Sequence, residues 1–162
     1  VYGSDNRLNL YLTEFILSSL QNIFLHDHQN FINSQRFEVI MLPIVDELEN
    51  ELVIKDEKIQ QLLRACIAQL AVAAGDDILW KQLNYQVLLK TRSDTPEIRI
   101  LGLQASVDVA KKLGEDFEPL IPETIPFLSE LLEDENHKVV EACQNAVREL
   151  ESTVGESLQK YF

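Results

Sequence analysis

Three groups of side chains in this sequence have types and spacing that chemistry uses. The first is His26-Asp27-His28, whose chemistry would be metal binding. Zinc sites gather about four converging ligands. The remaining imidazole and thiol groups are His137, Cys66 and Cys143, and both cysteines fall inside apolar helical patterns. Such positions suit small buried thiols of a reducing compartment, not ligands or a disulfide. The His-Asp-His run is therefore read as a polar loop between helices, with no metal. The second group is the paired acids Asp76-Asp77 and Glu133-Asp134-Glu135, which acid-base catalysis would draw on. Each lies at a predicted helix boundary, where acids favour the positive N-terminal end. No Gly-rich phosphate loop, Gly-x-Ser-x-Gly elbow or Cys-His nucleophile pattern occurs. The chain is read as a non-enzyme without catalytic or cofactor-binding residues.

The third group concerns binding. Trp80 and Tyr85 precede Lys90 and Arg92 on one predicted helix, an arrangement that suits bases stacking over an RNA backbone. The same spacing is what a helix needs to pack on its neighbour, and large aromatic rings bury much area. Packing is the reading taken for the rings, with Lys81, Lys90 and Arg92 left to reach solvent as partner or RNA contacts. Tyr161 and Phe162 are expected to fold with Leu158 onto the final hairpin and cover the last apolar face; the rival reading leaves them exposed as an aromatic anchor for a partner.

Charge limits the partners. The formal charge is −13, from 27 acids against 14 Lys and Arg. Residues 115–135 hold eight acids and no base, a surface that repels phosphate backbones and attracts basic partners. Between Lys58 and Lys112 the balance reverses, eight bases against five acids, and RNA contact is expected nowhere else. Direct RNA contact by this segment is therefore expected to be weak or absent. The apolar share is 46%, enough for a packed core, and no run approaches the roughly 18 consecutive apolar residues of a membrane-spanning helix. A start at Val1 without a signal-like segment reads as a fragment of a longer protein.

The elements that position these residues repeat. Ile59, Leu62, Leu63, Cys66, Ile67, Leu70 and Ala74 line one face of a helix that Gly75 stops. Ile98 to Leu113 before Gly114, and Val139 to Val154 before Gly155, copy it at offsets of 39 and then 41 residues. Leu42-Pro43-Ile44-Val45-Asp46-Glu47-Leu48 recurs as Ile125-Pro126-Phe127-Leu128-Ser129-Glu130-Leu131 at an offset of 83. A hairpin of about 40 residues is the unit of HEAT and armadillo stacks. The predicted fold is all-α, an α-solenoid of HEAT-type hairpins in one segment, 1–162, with units near 7–52, 57–91, 95–133 and 137–162. Helices are expected near 7–25, 33–52, 57–74, 77–91, 95–113, 120–133 and 137–153, with a short turn near 156–161. Asp94, Glu97, Ile98 and Arg99 approximate the HEAT turn, an Asp followed by Val-Arg. Asp134 is followed by Val139-Val140, so the last turn is expected to lack the Asp-Arg ladder contact.

Several strings go beyond a generic repeat: Leu42-Pro43-Ile44-Val45-Asp46-Glu47-Leu48-Glu49-Asn50, Cys66-Ile67-Ala68-Gln69, and Leu79-Trp80-Lys81-Gln82-Leu83-Asn84-Tyr85-Gln86-Val87-Leu88-Leu89-Lys90-Thr91-Arg92. With Pro122 to Leu131 and Val154 to Phe162, they resemble the C-terminal end of the large nucleolar HEAT-repeat proteins of the U3 small nucleolar ribonucleoprotein. The resemblance runs from about Leu25 to Phe162. It implies a non-catalytic scaffold segment of a small-subunit processome component in the nucleus and nucleolus, supporting pre-rRNA processing and ribosome biogenesis. Its partners would be other processome proteins, with U3 small nucleolar RNA and pre-rRNA met through the parent complex and no membrane. A karyopherin-like transport or adaptor solenoid, also acidic and all-helical, is the alternative.

Overall fold

A computed structural model describes residues 6–162, and every regular element among them is helical. Residues 1–5 of the expected segment lie outside the described residues. The α-helices are α1 (Asn6–Leu25), α2 (Ser34–Asp46), α3 (Glu51–Ile54), α4 (Glu57–Ala74), α5 (Asp77–Leu89), α6 (Pro96–Leu113), α7 (Ile121–Leu132) and α8 (His137–Val154). Starts and stops follow local chemistry. The side chains of Asn33, Asp56, Asp76 and Asn136 each accept from an amide in the first turn of α2, α4, α5 and α8, and such a cap stabilises a helix by about 1 kcal/mol. Gly75 and Gly155 end α4 and α8 in the left-handed conformation, where a Cβ is unfavourable.

Two boundaries differ from the sequence reading. The helix expected over 33–52 breaks after Asp46 into a 3-10 turn, Glu47–Glu49, and the short α3, with Leu48 and Val53 turned into the core. Asn50 resets the chain by accepting from the Leu52 amide. At Gly114 the chain does not stop; it runs through a 3-10 segment, Gly114–Leu120, that buries Phe117 and Leu120 before α7 begins.

The helices form two rows. In one, α1, α4, α6 and α8 pack in succession; in the other, α2, α5 and α7 do. Across the rows α2 packs on α4, α5 chiefly on α6, and α7 on α8, one helix out of step with units drawn near 7–52, 57–91 and 95–133. One apolar core runs through the stack. Cys66, Leu70, Leu101, Ala105, Val109, Cys143, Ala146 and Leu150 are buried in it, as one repeated face requires. Leu62 departs from that expectation. It is only partly buried, because Ile59, Leu63, Cys66 and Ile67 fill the centre of the α4 stripe.

Polar register pins lie inside the apolar stack. The Asn84 side chain, fully buried on α5, donates to the Thr124 hydroxyl of α7 at 3.0 Å and accepts from the Ser106 hydroxyl of α6 at 2.9 Å. The Thr124 hydroxyl donates onward to the Leu120 carbonyl. Every member is satisfied, so the network fixes the relative placement of three helices without leaving an orphaned group. Gly102 lets α6 approach the end of α5: a Cβ there would lie 3.0 Å from the Lys90 Cβ and 3.2 Å from the Val87 carbonyl oxygen.

Candidate partner-binding surface

Of the residues expected to meet a partner, Lys81, Lys90 and Arg92 sit on α5 and in the 3-10 turn that follows it, and Tyr161 and Phe162 at the far end of the chain. Lys90 is held inside the stack. Its ammonium lies 2.7 Å from Asp46 and 2.9 Å from Glu49, with 12% of the side chain exposed. Burial alone would lower its pKa, but the two carboxylates hold it above the usual lysine value. Lys90 thus joins the 3-10 turn after α5 to the one after α2. Arg92 grips Glu130 of α7 through two nitrogens, at 2.8 and 2.6 Å, and its guanidinium lies 4.3 Å from the centre of the Phe127 ring. The Glu130 contact raises the Arg92 pKa and lowers that of Glu130. Tyr85 stands edge-on to Phe127 and is exposed, whereas Trp80 packs against the core and donates its indole N–H to the Ala71 carbonyl at 2.8 Å. Lys81 is exposed and makes no ion pair among the described residues.

The same pattern governs the rest of the basic stretch. Lys58 pairs with Glu14, Arg64 with Asp108, Arg99 with Asp134 and Lys111 with Glu149. Of the eight bases between Lys58 and Lys112, Lys81 and Lys112 are the two without an ion pair among the described residues. These hydrogen-bonded partners lie 35 to 44 residues away in sequence, one repeat length, so each joins neighbouring repeats. Six of the eight bases in this stretch thus form a ladder of ion pairs between repeats. The acidic stretch keeps its outward charge: Glu115, Asp116, Glu118, Glu133 and Glu135 are exposed and make no ion pair among the described residues.

The expectation for the last turn is corrected. Asp134 does take part in an Asp-Arg ladder, with Arg99 of the preceding unit as its partner, and it also accepts from the Asn136 amide at 2.8 Å. Val140 leaves α8 without an arginine at that place in its own first turn, so the contact missing is one further along. Asp134 is thus a ladder member, and Asn136 is the residue that caps α8.

The other candidate groups have local tasks. Asp27 accepts from the amides of Phe31 and Ile32 at 2.7 and 2.8 Å, closing the loop between α1 and α2. Its slight burial works against the charge, yet these bonds hold its pKa below the usual value. The His26 and His28 rings stand edge to face beside it. Cys66 and Cys143 are free, buried thiols whose pKa values burial pushes up to about 12, which keeps them protonated and poor nucleophiles. At the other end Leu158 is fully buried as the expected cap requires and pinned by Glu151, which accepts from its amide at 2.8 Å, whereas Tyr161 and Phe162 depart from that expectation and are exposed. The sequence reading missed the inter-repeat acids, whose signal was spacing: bases and acids stand one repeat apart.

Comparison with known proteins adds the lineage. Residues 34–161 match a family model described as "Stalled ribosome sensor GCN1-like, HEAT repeats". HEAT repeat-containing protein 1 homolog of Drosophila melanogaster is 53% identical over 91% of the chain, and HEAT repeat-containing protein 1 of Homo sapiens is 48% identical over 93%. U3 small nucleolar RNA-associated protein 10 of Phaeosphaeria nodorum is 30% identical over 91% of the chain. The chain spans about 7% of the length of the fly and human relatives and 9% of the fungal one. Helical hairpins in register, a repeat match over most of the chain and these relatives agree: the chain belongs to the HEAT-repeat proteins, as a segment of the family that includes HEAT repeat-containing protein 1.

Proposed function

We propose that this chain is a non-catalytic scaffold segment of a small-subunit processome component, acting in nucleolar pre-rRNA processing through contacts with other proteins. The observation that carries the protein-binding part is the ladder: six of eight bases in the one basic stretch are held by acids of neighbouring repeats. The outward charge of residues 115–135 is acidic and suits basic protein segments more than phosphates. The ribosome-biogenesis part is supported by relatives whose names tie them to the U3 small nucleolar RNA. Against a catalytic reading, Asp76 caps α5, Asp134 bridges to Arg99, Glu133 and Glu135 stand apart on the surface, and the thiols are buried and protonated.

The experiment is affinity purification of the tagged parent protein from nuclear extract, with and without nuclease, followed by identification of bound proteins. Nucleolar assembly factors retained after nuclease treatment support the reading. Recovery of Ran and transport cargo instead would favour a transport solenoid, and partners lost entirely on nuclease treatment would make RNA the true ligand.

A further inference from the structure

The two ends of the stack have opposite surfaces. The outer side of α8 is polar, exposing Glu141, Gln144, Asn145, Arg148 and Ser152, and no large apolar side chain of that helix is exposed. α1 is apolar on two sides. One stripe, including Leu10, Leu17 and Phe24, packs into the core; the other, Leu8, Leu12, Phe15, Ile16 and Ile23, faces solvent at spacings of three, four and seven residues. Phe15 is 73% exposed, and on α2 Val39, which borders the groove beside α1, is 72% exposed. That groove, about 440 Å³, is lined almost wholly by apolar groups of α1, α2 and their loop, among them Leu20, Ile23, Phe31, Val39 and Ile40. A stack that ended here would need a polar outer face to stay soluble.

The stack itself states what fits. α2 lies in the groove between α4 and α5, and α5 in the groove between α6 and α7. The groove between α1 and α2 is the next in the series, one repeat earlier, and among the described residues no helix lies in it. α1 stands in the row of α4, α6 and α8, yet it lies before residue 34, where the repeat match begins. We infer that the α1–α2 groove is the seat of one more amphipathic helix of the α2, α5 and α7 kind, supplied by a preceding repeat of the same polypeptide. Relatives more than ten times longer than this chain have ample length for it. Its apolar stripe would cover Ile23, Phe31 and Val39, and the helix before it, in the row of α1, would cover Leu8, Leu12 and Phe15. This inference is independent of the processome reading.

The test compares the 162-residue chain with a longer piece of its natural polypeptide carrying one more hairpin at the α1 end, each with Ile23→Asp and Val39→Asp. The shorter chain is expected to be monomeric and to melt at the same temperature with or without the substitutions. The longer one should melt higher than the shorter, lose that gain on substitution, and release its added hairpin to protease. Equal sensitivity of the two chains would place the groove in the existing core and overturn the inference. A dimer of the shorter chain broken by either substitution would make a second copy the occupant, and a longer chain indifferent to both would leave the seat empty; each also overturns it.

Discussion

Arg99 on α6 and Asp134 in the turn before α8 stand 2.9 Å apart, Nε to Oδ2, with about a tenth of either side chain exposed, 11% and 10%. A second guanidinium nitrogen meets the other carboxylate oxygen at 2.9 Å, and a third donates to the Ser93 and Asp94 carbonyls. One arginine thus closes its own turn and joins it to the next. Removing one member of a nearly buried pair strands the other, a loss of about 3–5 kcal/mol. Asp134→Ala should fall in that range by chemical denaturation. Arg99→Lys should also destabilise, because a lysine cannot bridge both oxygens. A loss below about 1 kcal/mol for Asp134→Ala, the size of an exposed pair, would show that the ladder carries no weight.

Gly102 gives a steric prediction. A methyl group there meets the Lys90 Cβ at 3.0 Å and backbone atoms of Val87 and Thr91 at 3.2 and 3.3 Å, so the α5–α6 contact must open. Alanine is the better helix former, and on propensity alone Gly102→Ala would stabilise by about 1 kcal/mol. Overpacking opposes this with roughly 1–3 kcal/mol, and a net loss is expected in thermal or urea melts. A stabilised variant would mean the two helices are less closely apposed.

Much of this architecture was legible in the sequence, and the reason is the repeat. Copies of the Leu70, Val109 and Leu150 face, each followed by glycine, announce a stacked core, and these positions are buried. Less legible were features that depend on a partner one repeat away. Lys90 and Arg92 look like surface bases until Asp46, Glu49 and Glu130 are brought beside them. The break after Asp46 was hidden because the apolar pattern continues through Leu48 and Val53 while the backbone changes direction. The exposed stripe of α1 escaped notice because a helix apolar on two sides resembles one buried on both.

Two carboxylates should give opposite pH signatures. Burial raises the Asp108 pKa above 3.8, with Arg64 and then Lys111 pulling it back. The folded state therefore holds this proton more tightly, so the contribution to stability is complete below 3.8 and is lost as pH rises through the folded value. Asp27 is the reverse: its pKa lies below 3.8, and its contribution is complete above that and lost as pH falls through the folded value. Denaturation midpoints between about pH 2 and 7 should show Asp108→Asn removing part of the decline toward neutral pH and Asp27→Asn removing part of the acid decline. Curves parallel to the parent's at every pH would contradict both assignments.

The tail separates cap from anchor by residue. Leu158 is fully buried against the final hairpin, and Leu158→Ala should destabilise by about 2–5 kcal/mol. Tyr161 and Phe162 are exposed, so replacing both with serine should leave the melt within about 0.5 kcal/mol. Loss of a bound protein in the double-serine variant, at unchanged stability, would identify the pair as an anchor. A large fall in its melting temperature would instead extend the cap to the final residues.

On the proposed reading this segment meets proteins, its basic stretch being tied to the repeats beside it. The most direct measurement is titration of the 162-residue chain with structured RNA over a range of salt, repeated with Lys81→Glu and Arg92→Glu. Each phosphate contact contributes about 0.7 to 0.9 to the slope of log affinity against log salt. The expected result is weak binding, a slope of about one contact or less, and little change in either variant. Tight binding near physiological salt, with a steep slope that the two substitutions abolish, would contradict the account.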